Sequence, residues 1–205
     1  MRADDRIFFA SSNPGKLGEF HALAEKASAG KRVVLELVPG FDALPSFEEN
    51  APTFAENALG KALHYSRLAD GLVFADDSGL VLPALGGAPG VHSARYAGPG
   101  ATSTERIRKL LAELEGNNGL ERAAYFACAI ALAKGGRAMA IVTDRADGEI
   151  LRTPRGEGGF GYDQVFYFPA LKKTFAELSA EAKNEHSHRG KAFRRLLKTL
   201  YSPTP

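Results

Sequence analysis

The sequence has few cysteines, no long apolar run and little net charge, so it lacks the features that would indicate an oxidising compartment, a membrane span or binding to nucleic acid. Its 205 residues include a single cysteine, Cys128, so no internal disulfide can form and a reducing, cytoplasmic setting is expected. No apolar run approaches the roughly 20 residues of a membrane span, and residues 1–6 lack the apolar stretch of a signal peptide. The formal net charge is only +2, which gives no support for a nucleic-acid or membrane partner.

What the sequence contains is an ordinary globular balance, with 44% hydrophobic and 24% charged residues, over one predicted domain, residues 1–205. Apolar stretches predict strands, and Thr–Glu capping boxes open two of the predicted helices. Helices and strands alternate in the first half, and Gly135-Gly136 predicts a hairpin in the second, so we predict an α/β protein with a mixed sheet. The predicted strands cover residues 7–10, 33–38, 72–75, 123–133, 138–143, 150–153 and 165–168, and the predicted helices cover residues 17–27, 53–63, 102–114 and 187–201.

The most informative segment is Phe-Ala-Asp-Asp-Ser-Gly at residues 74–79. The apolar residues 72–75 predict the end of a buried strand, and Gly79 predicts a turn after it. Asp76 and Asp77 are therefore expected at the exit of a strand, the edge where open α/β sheets bind ligands. Adjacent carboxylates repel each other, so a folded protein either exposes such a pair to water or gives it a cation. An exposed acidic turn is the alternative.

A second segment combines hydroxyl, amide and ammonium groups between a strand and a helix. A helix N-terminus presents free N–H groups and a partial positive charge, which together favour a phosphate. The spacing is not that of a Walker A loop, and an ordinary turn with an exposed lysine is the alternative. The six residues of this predicted phosphate site are Ser11, Ser12, Asn13, Pro14, Gly15 and Lys16.

The adjacent acids Glu48 and Glu49 lie in an irregular stretch before the second predicted helix. With Asp76 and Asp77 they can assemble a carboxylate cluster. Mg²⁺ is usually held by one or two carboxylates plus substrate phosphates, so the cluster predicts a magnesium site. An acidic loop in water is the alternative for this pair.

Two segments of the second half could bind a base or further phosphate. Residues 158–163 contain three glycines that let backbone approach a ligand, and Phe160 among them could stack on a flat ring. Residues 183–198 are rich in lysine and arginine, which could bind phosphate or a purine carbonyl. The alternatives are a glycine-rich turn with core aromatics and a basic helix face in water. His186 and His188 have no third ligand nearby in sequence, which argues against zinc.

Together these segments resemble the inosine/xanthosine triphosphate pyrophosphatase family, enzymes that remove deaminated purine nucleotides. The resemblance implies an elongated mixed sheet flanked by helices, two lobes with a central cleft, and a homodimer. It also implies Mg²⁺-dependent hydrolysis of ITP, dITP and XTP to the monophosphate and pyrophosphate. The matching residues are Ser-Asn-Pro-Gly-Lys at 12–16, Phe-Ala-Glu-Asn-Ala at 54–58, Ala-Asp-Asp-Ser-Gly at 75–79, Gly-Gly-Ala-Pro-Gly-Val-His-Ser-Ala-Arg-Tyr at 86–96, Gly-Gly-Phe-Gly-Tyr-Asp at 158–163 and Ser-His-Arg-Gly at 187–190.

The resemblance also implies roles for individual residues. By the family pattern the segment 11–16 holds the triphosphate, and Lys16 and Asp77 are the catalytic residues. Glu48 and Asp77 are the metal ligands, with Glu49 and Asp76 as further candidates. Residues assigned to substrate and the nucleoside pocket are Ser78, Phe160, Gly161, Tyr162, Asp163, Lys183, His188 and Arg189. The chain departs from the family at Gln164, where proline is usual, and at His186, where an apolar residue is usual.

Two other functions compete with this one. A Maf-like pyrophosphatase acting on pyrimidine or modified nucleotides is the enzymatic alternative, and the Ser-His-Arg-Gly segment at 187–190 argues against it. A non-catalytic nucleotide- or RNA-binding protein is the other. Carboxylates such as Asp77 would repel phosphate in such a protein unless a metal lay between them, so we favour the enzyme.

Overall fold

The computed structural model of the chain describes residues 4–26, 32–116 and 121–201. Seven strands and five α-helices occur in these residues. The strands are β1 (Asp4–Phe9), β2 (Arg32–Leu37), β3 (Leu72–Val81), β4 (Ala123–Lys134), β5 (Arg137–Ile150), β6 (Phe166–Phe168) and β7 (Lys173–Thr174), and the helices are α1 (Pro14–Lys26), α2 (Phe54–Ser66), α3 (Ser103–Gly116), α4 (Ala180–His186) and α5 (His188–Tyr201).

The strands form one mixed sheet in the order β2-β1-β3-β4-β5-β6-β7. Strand β1 is parallel to both neighbours, with Ile7 opposite Leu35 of β2 and Phe9 opposite Phe74 of β3. Strand β6 is antiparallel to β5 and to β7. The predicted α/β class with a mixed sheet flanked by helices is confirmed. Within the described residues, no helix has the length and apolar character needed to cross a membrane.

The chain divides into two compact units. The first consists of Met1–Asp77, Cys128–Asp144 and His188–Pro205, and the second consists of Ser78–Ala127 and Arg145–Ser187. Strands β3, β4 and β5 contribute residues to both.

The first unit has two apolar clusters, which separate along β3 because successive strand residues point to opposite faces. Phe74 belongs to the cluster that buries α1 and α5, where Phe20 and Phe193 meet edge to face with ring centres 5.4 Å apart. Val73 and Ala75 belong to the cluster that buries α2. Within the first unit, the alternation thus assigns even-numbered β3 residues to the face of α1 and α5, and odd-numbered residues to the face of α2.

The second unit has its own core, rich in phenylalanine. The rings of Phe126 and Phe166 are 4.7 Å apart, and those of Phe166 and Phe175 are 4.8 Å apart, within the range of favourable aromatic pairs. Helix α3 adds Ile107 and Leu110 to this cluster.

Predicted features that depend only on neighbouring residues in the sequence are confirmed. Thr53 accepts a hydrogen bond from the Glu56 N–H at 3.2 Å at the start of α2, and Thr102 does the same for Glu105 at 3.2 Å before α3. The turn between β4 and β5 has φ of +56° at Gly135 and +76° at Gly136, as a two-residue hairpin turn requires.

The predicted end of β3 is wrong. The strand continues through Asp76, Asp77 and Gly79 to Val81, so the two acids lie within a strand and not after it. Gly79 makes no turn. A Cβ at this position would lie 2.4 Å from Ser93 Oγ and 2.6 Å from the Gly90 carbonyl oxygen, so glycine is needed for close packing.

Other boundaries also differ from the prediction. Helix α1 begins at Pro14 because Asn13 accepts from the Lys16 N–H at 3.2 Å and caps it; its predicted end at residue 27 lies outside the described residues. The separate strand predicted at 150–153 is wrong, since β5 itself runs to Ile150. Helix α4 was not predicted, although Ser179 caps it by accepting from the Ala182 N–H at 3.2 Å.

Candidate active site

Asp76 is fully buried in the first unit between cations from two helices. Its Oδ2 lies 2.9 Å from Lys16 Nζ of α1 and 3.8 Å from Arg189 Nε of α5. Burial alone would raise the pKa of this carboxyl, but the positive charges of Lys16, Lys61 and Arg189 outweigh burial and hold the pKa below its ordinary value. Asp76 is therefore an ionised anchor for the cations around it.

Asp77 points to the other face of β3 because strand residues alternate. Its Oδ2 accepts a hydrogen bond from Asn57 Nδ2 of α2 at 2.9 Å, and its side chain is buried. Burial raises the pKa of Asp77 to about 6, and the negative charge of Glu49 adds to the rise against the opposing effects of Lys16 and the Asn57 hydrogen bond. The two adjacent acids thus occupy different environments.

The acidic pair before α2 separates in the same way. Glu49 forms an ion pair with the buried Lys61 of α2, whereas Glu48 is exposed and accepts from Asn50 Nδ2 at 2.9 Å. Burial alone would lower the pKa of Lys61, but Asp76, Glu49 and Asp77 outweigh burial and raise the pKa. Glu49 is therefore the member of the pair whose charge acts on Asp77.

The predicted phosphate segment forms the turn between β1 and α1. Ser11 is buried and accepts from the Asn13 N–H at 3.2 Å, while Ser12, Asn13 and Pro14 are exposed. Gly15 and Lys16 are half-buried in the first turn of the helix. The turn thus leaves polar groups in solvent at a helix N-terminus, with the lysine side chain directed to Asp76.

A second buried ion pair lies in the second unit. Lys183 Nζ of α4 lies 2.5 Å from Asp163 Oδ2 and 4.8 Å from the centre of the Phe160 ring. Asp163 Oδ2 also accepts from the Phe160 N–H at 2.8 Å, so one carboxylate holds both the ammonium and the aromatic residue. The structure therefore brings together three of the residues predicted for the nucleoside pocket.

The loop carrying Phe160 is tightly packed. Gly159 has φ of +71°, and a Cβ there would lie 2.1 Å from Asp163 Oδ2, so only glycine fits. The Gly161 N–H donates to Ser103 Oγ of α3 at 3.1 Å, and the buried Tyr162 donates its hydroxyl to the Ser93 carbonyl at 3.0 Å.

Three other predicted residues lie near the unit boundaries in sequence. Ser78 is half-buried on β3, directly after Asp77. His188 is buried in the first turn of α5. Arg189 forms an ion pair with Glu19 of α1 as well as with Asp76. Their predicted roles in binding substrate stay predictions.

Comparison with known proteins decides the family. The model of the Ham1 family matches residues 7–199. This chain belongs to the Ham1 family. A relative from Geobacillus kaustophilus, named dITP/XTP pyrophosphatase, is 50% identical over 190 residues, which cover 93% of this chain and 91% of the relative. A relative of the same name from Gloeobacter violaceus is 48% identical over 193 residues, covering 93% and 92% of the two chains.

Solved structures agree with this membership. The structure of a HAM1 protein from Coxiella burnetii matches with a TM-score of 0.85 and 40% identity, covering 97% of this chain and 100% of that one. The Staphylococcus aureus Ham1 protein matches with a TM-score of 0.82 and 37% identity, over 96% and 98% of the two chains. The predicted resemblance to the inosine/xanthosine triphosphate pyrophosphatases is confirmed.

The donor set of this Ham1-family chain fits a hard divalent cation. Asp77 and Glu49 offer carboxylate oxygens, and their mutual repulsion contributes to the raised pKa of Asp77, a repulsion that a bound cation relieves. Among the described residues, no three acidic, histidine or cysteine side chains converge to form a metal cage made of protein alone. Magnesium commonly takes one or two carboxylates and leaves other positions to water and phosphate.

Four residues without a role predicted from sequence contact the predicted site residues, two through ion pairs and two through hydrogen bonds. Asn57 and Lys61 lie four residues apart on α2 and are both buried, so they share one helix face. Their polar character on a largely apolar helix face was the available signal. Glu19 and Ser103 had no comparable signal, because their partners, Arg189 and Gly161, are distant in sequence.

Proposed function

We propose that this protein hydrolyses the deaminated purine nucleotides ITP, dITP and XTP to the nucleoside monophosphate and pyrophosphate. The observation that carries the proposal is the buried Asp77 carboxylate, hydrogen-bonded to Asn57 and set among the charges of Lys16, Lys61 and Glu49. The name dITP/XTP pyrophosphatase carried by the Geobacillus kaustophilus relative supports the substrate class.

In this proposal Asp77 and Glu49 hold Mg²⁺, in preference to the exposed Glu48 and to Asp76, which is paired with Lys16. Bound there, Mg²⁺ would neutralise phosphate charge as a Lewis acid. Lys16 and the β1–α1 turn bind the triphosphate, since an ammonium group and a helix N-terminus both favour an anion.

The reaction adds one water across the bridge between the α- and β-phosphates. The water oxygen bonds to phosphorus, the bridging P–O bond breaks, and the leaving phosphate oxygen takes the electron pair. Asp77 accepts the proton from the attacking water, as a carboxylate held by Asn57 can do. Lys16 stabilises the negative charge that develops on the phosphate oxygens.

Base selection rests on the second ion pair. The 6-keto oxygen of hypoxanthine or xanthine accepts a hydrogen bond, whereas the amino group of adenine donates one. Lys183 offers N–H donors beside the half-buried Phe160 ring and is held there by Asp163. A buried donor that faces the adenine amino group loses its partner, which costs about 1–3 kcal/mol. By family resemblance we also propose that His188 and Arg189 contact the nucleoside.

The same resemblance supports a further proposal, that the protein is a homodimer, and the single buried cysteine, Cys128, supports a second, that its setting is reducing and cytoplasmic. The molar mass in solution, measured by light scattering, tests the first. Twice the chain mass of 21.9 kDa is expected, and the mass of one chain would contradict it.

Product analysis tests the proposed reaction. Purified protein is incubated with ITP in the presence of Mg²⁺ or of excess EDTA, and products are separated by anion exchange. We expect IMP and pyrophosphate with Mg²⁺ and no turnover with EDTA. Release of IDP and orthophosphate, or a preference for pyrimidine nucleotides as in a Maf-like enzyme, would contradict the proposal.

A further inference from the structure

Asn57 uses its whole side-chain amide to join two segments of the first unit. Its Nδ2 donates to Asp77 Oδ2 at 2.9 Å and to the Ala51 carbonyl at 3.3 Å, and its Oδ1 accepts from the Ala51 N–H at 2.9 Å. Only 1% of the residue is exposed. The bond to Asp77 is buried and the two bonds to Ala51 are partly buried, so the bond to Asp77 is the one that water cannot readily replace.

The segment bound through Ala51 is the one that carries Glu49. The N–H and the carbonyl of Ala51 both form hydrogen bonds with the Asn57 amide, as they would with the backbone of a neighbouring strand. Four residues further along α2, Lys61 forms an ion pair with Glu49 itself. Helix α2 thus holds the loop at two points and holds the carboxylate of Asp77 at a third.

The chemistry of this position calls for an amide. The neighbours present one N–H and two oxygen acceptors, one of them a carboxylate oxygen, and only a side chain with both an acceptor and an NH₂ group satisfies all three. Aspartate would set a second carboxylate oxygen against Asp77, and an apolar residue would remove all three hydrogen bonds.

We propose that Asn57 is a positioning residue, which orients Asp77 and the Glu49-bearing loop so that the two carboxylates converge on one divalent cation. This inference rests on the proposed function for the role of the cation. Asn57 itself is not assigned to touch substrate. Its effect is exerted through the direction of the Asp77 carboxylate and the position of the loop.

The test compares Asn57→Ala with Ser66→Ala. Ser66 is equally buried in α2, donates to the Leu63 carbonyl at 3.2 Å and accepts from the Gly136 N–H at 3.0 Å, and neither bond involves Asp77. Ser66→Ala therefore removes partly buried hydrogen bonds from the same helix and controls for stability. For both variants we would measure the melting temperature, the kcat for ITP and the Mg²⁺ dependence of kcat. Calorimetry without nucleotide would give the affinity of each variant for Mn²⁺.

We expect Asn57→Ala to lower kcat and to weaken Mn²⁺ binding, each by about 10- to 100-fold, as loss of a partner that orients metal ligands typically does. Ser66→Ala is expected to match wild type in both, whatever its melting temperature. Wild-type kcat and Mn²⁺ affinity in Asn57→Ala would overturn the proposal, and so would equal losses in Ser66→Ala.

The experiment also covers a variant that does not fold and a wild-type protein that is inactive. If Asn57→Ala does not fold, Asn57→Asp preserves the volume but removes the donor, and wild-type turnover in that variant would overturn the proposal. If wild type hydrolyses no nucleotide, the proposed function fails and Mn²⁺ binding alone decides the role of Asn57. Absence of Mn²⁺ binding in wild type would overturn the inference as well.

Discussion

The ammonium group of Lys16 lies 2.9 Å from Oδ2 of Asp76, a carboxylate with no exposed surface. The lysine predicted to bind phosphate is thus anchored on the sheet, so less of its side-chain freedom remains to be lost when a phosphate arrives. Asp76 pairs with the cations of α1 and α5, while Asp77, the proposed base, lies on the opposite face of β3 and is bound by Asn57.

Lys16→Ala is expected to raise KM and lower kcat for every nucleotide alike, because contacts to phosphate do not distinguish bases. A charge-assisted hydrogen bond is worth about 1.5–3 kcal/mol, which corresponds to roughly 10- to 100-fold in kcat/KM. Steady-state kinetics with ITP and ATP measure this, with the exposed Lys198→Ala of α5 as the control. A loss confined to one base would place Lys16 in the nucleoside pocket instead.

Asp77→Asn is expected to remove turnover while leaving the fold intact. The amide is the same size and its oxygen can still accept from Asn57, but it cannot take a proton from water and is a poorer ligand for Mg²⁺. Loss of a general base alone costs about 10²- to 10⁴-fold. Pyrophosphate release and circular dichroism are compared with Asp144→Asn, which alters an acid paired with Arg195 in the same unit. Near-normal hydrolysis by folded Asp77→Asn would refute the assignment.

The sequence predicted the parts of the fold that depend on neighbouring residues. The two capping boxes and the Gly135-Gly136 turn are local, and the structure has all three. The end of β3 was mispredicted because polar Asp76 and Asp77 resemble a turn. They remain in a strand because Lys16 and Asn57, from two helices, supply their partners.

The ion pairs of the site depend on residues far apart in sequence. Lys183 and Asp163 are 20 positions apart, and Arg189 and Glu19 are 170 apart. The charge pattern of a single segment cannot show which distant residue forms its partner. The family resemblance grouped Lys183 with residues 160–163, whereas the residues taken alone gave no reason to do so. Asn57 lay in a recognised motif, yet its role needed the position of Ala51 and Asp77.

Arg189→Ala is expected to destabilise the protein strongly. The guanidinium is buried between Glu19 and Asp76, and these acids raise its pKa above the ordinary value although burial alone would lower it. Removing one partner of a buried ion pair typically lowers the free energy of unfolding by about 3–5 kcal/mol, because a charge is left uncompensated. Urea unfolding measures this against Arg195→Ala, whose pair joins an exposed guanidinium to the half-buried Asp144 and is expected to cost under about 1 kcal/mol. Equal effects would show that the buried pair is not stabilising.

Lys183→Met and Phe160→Ala are expected to differ in their effect on base selection. Lys183→Met keeps the aliphatic stem but removes the donors, so the ratio of kcat/KM for ITP to that for ATP is expected to fall by about tenfold or more. Phe160→Ala removes stacking that any base can use, so both substrates are expected to weaken together. A changed ratio in Phe160→Ala with an unchanged ratio in Lys183→Met would reverse the two roles.

The most direct test of the account is the kcat/KM of the unmodified protein for ITP and for ATP, measured by pyrophosphate release at saturating Mg²⁺. A buried donor is satisfied by the 6-keto oxygen of ITP but not by the 6-amino group of ATP. Each such contact is expected to favour ITP by about tenfold to hundredfold in kcat/KM. A large excess for ITP is the predicted result. Comparable values for ITP and ATP would contradict the proposed substrate class and the role of Lys183 together.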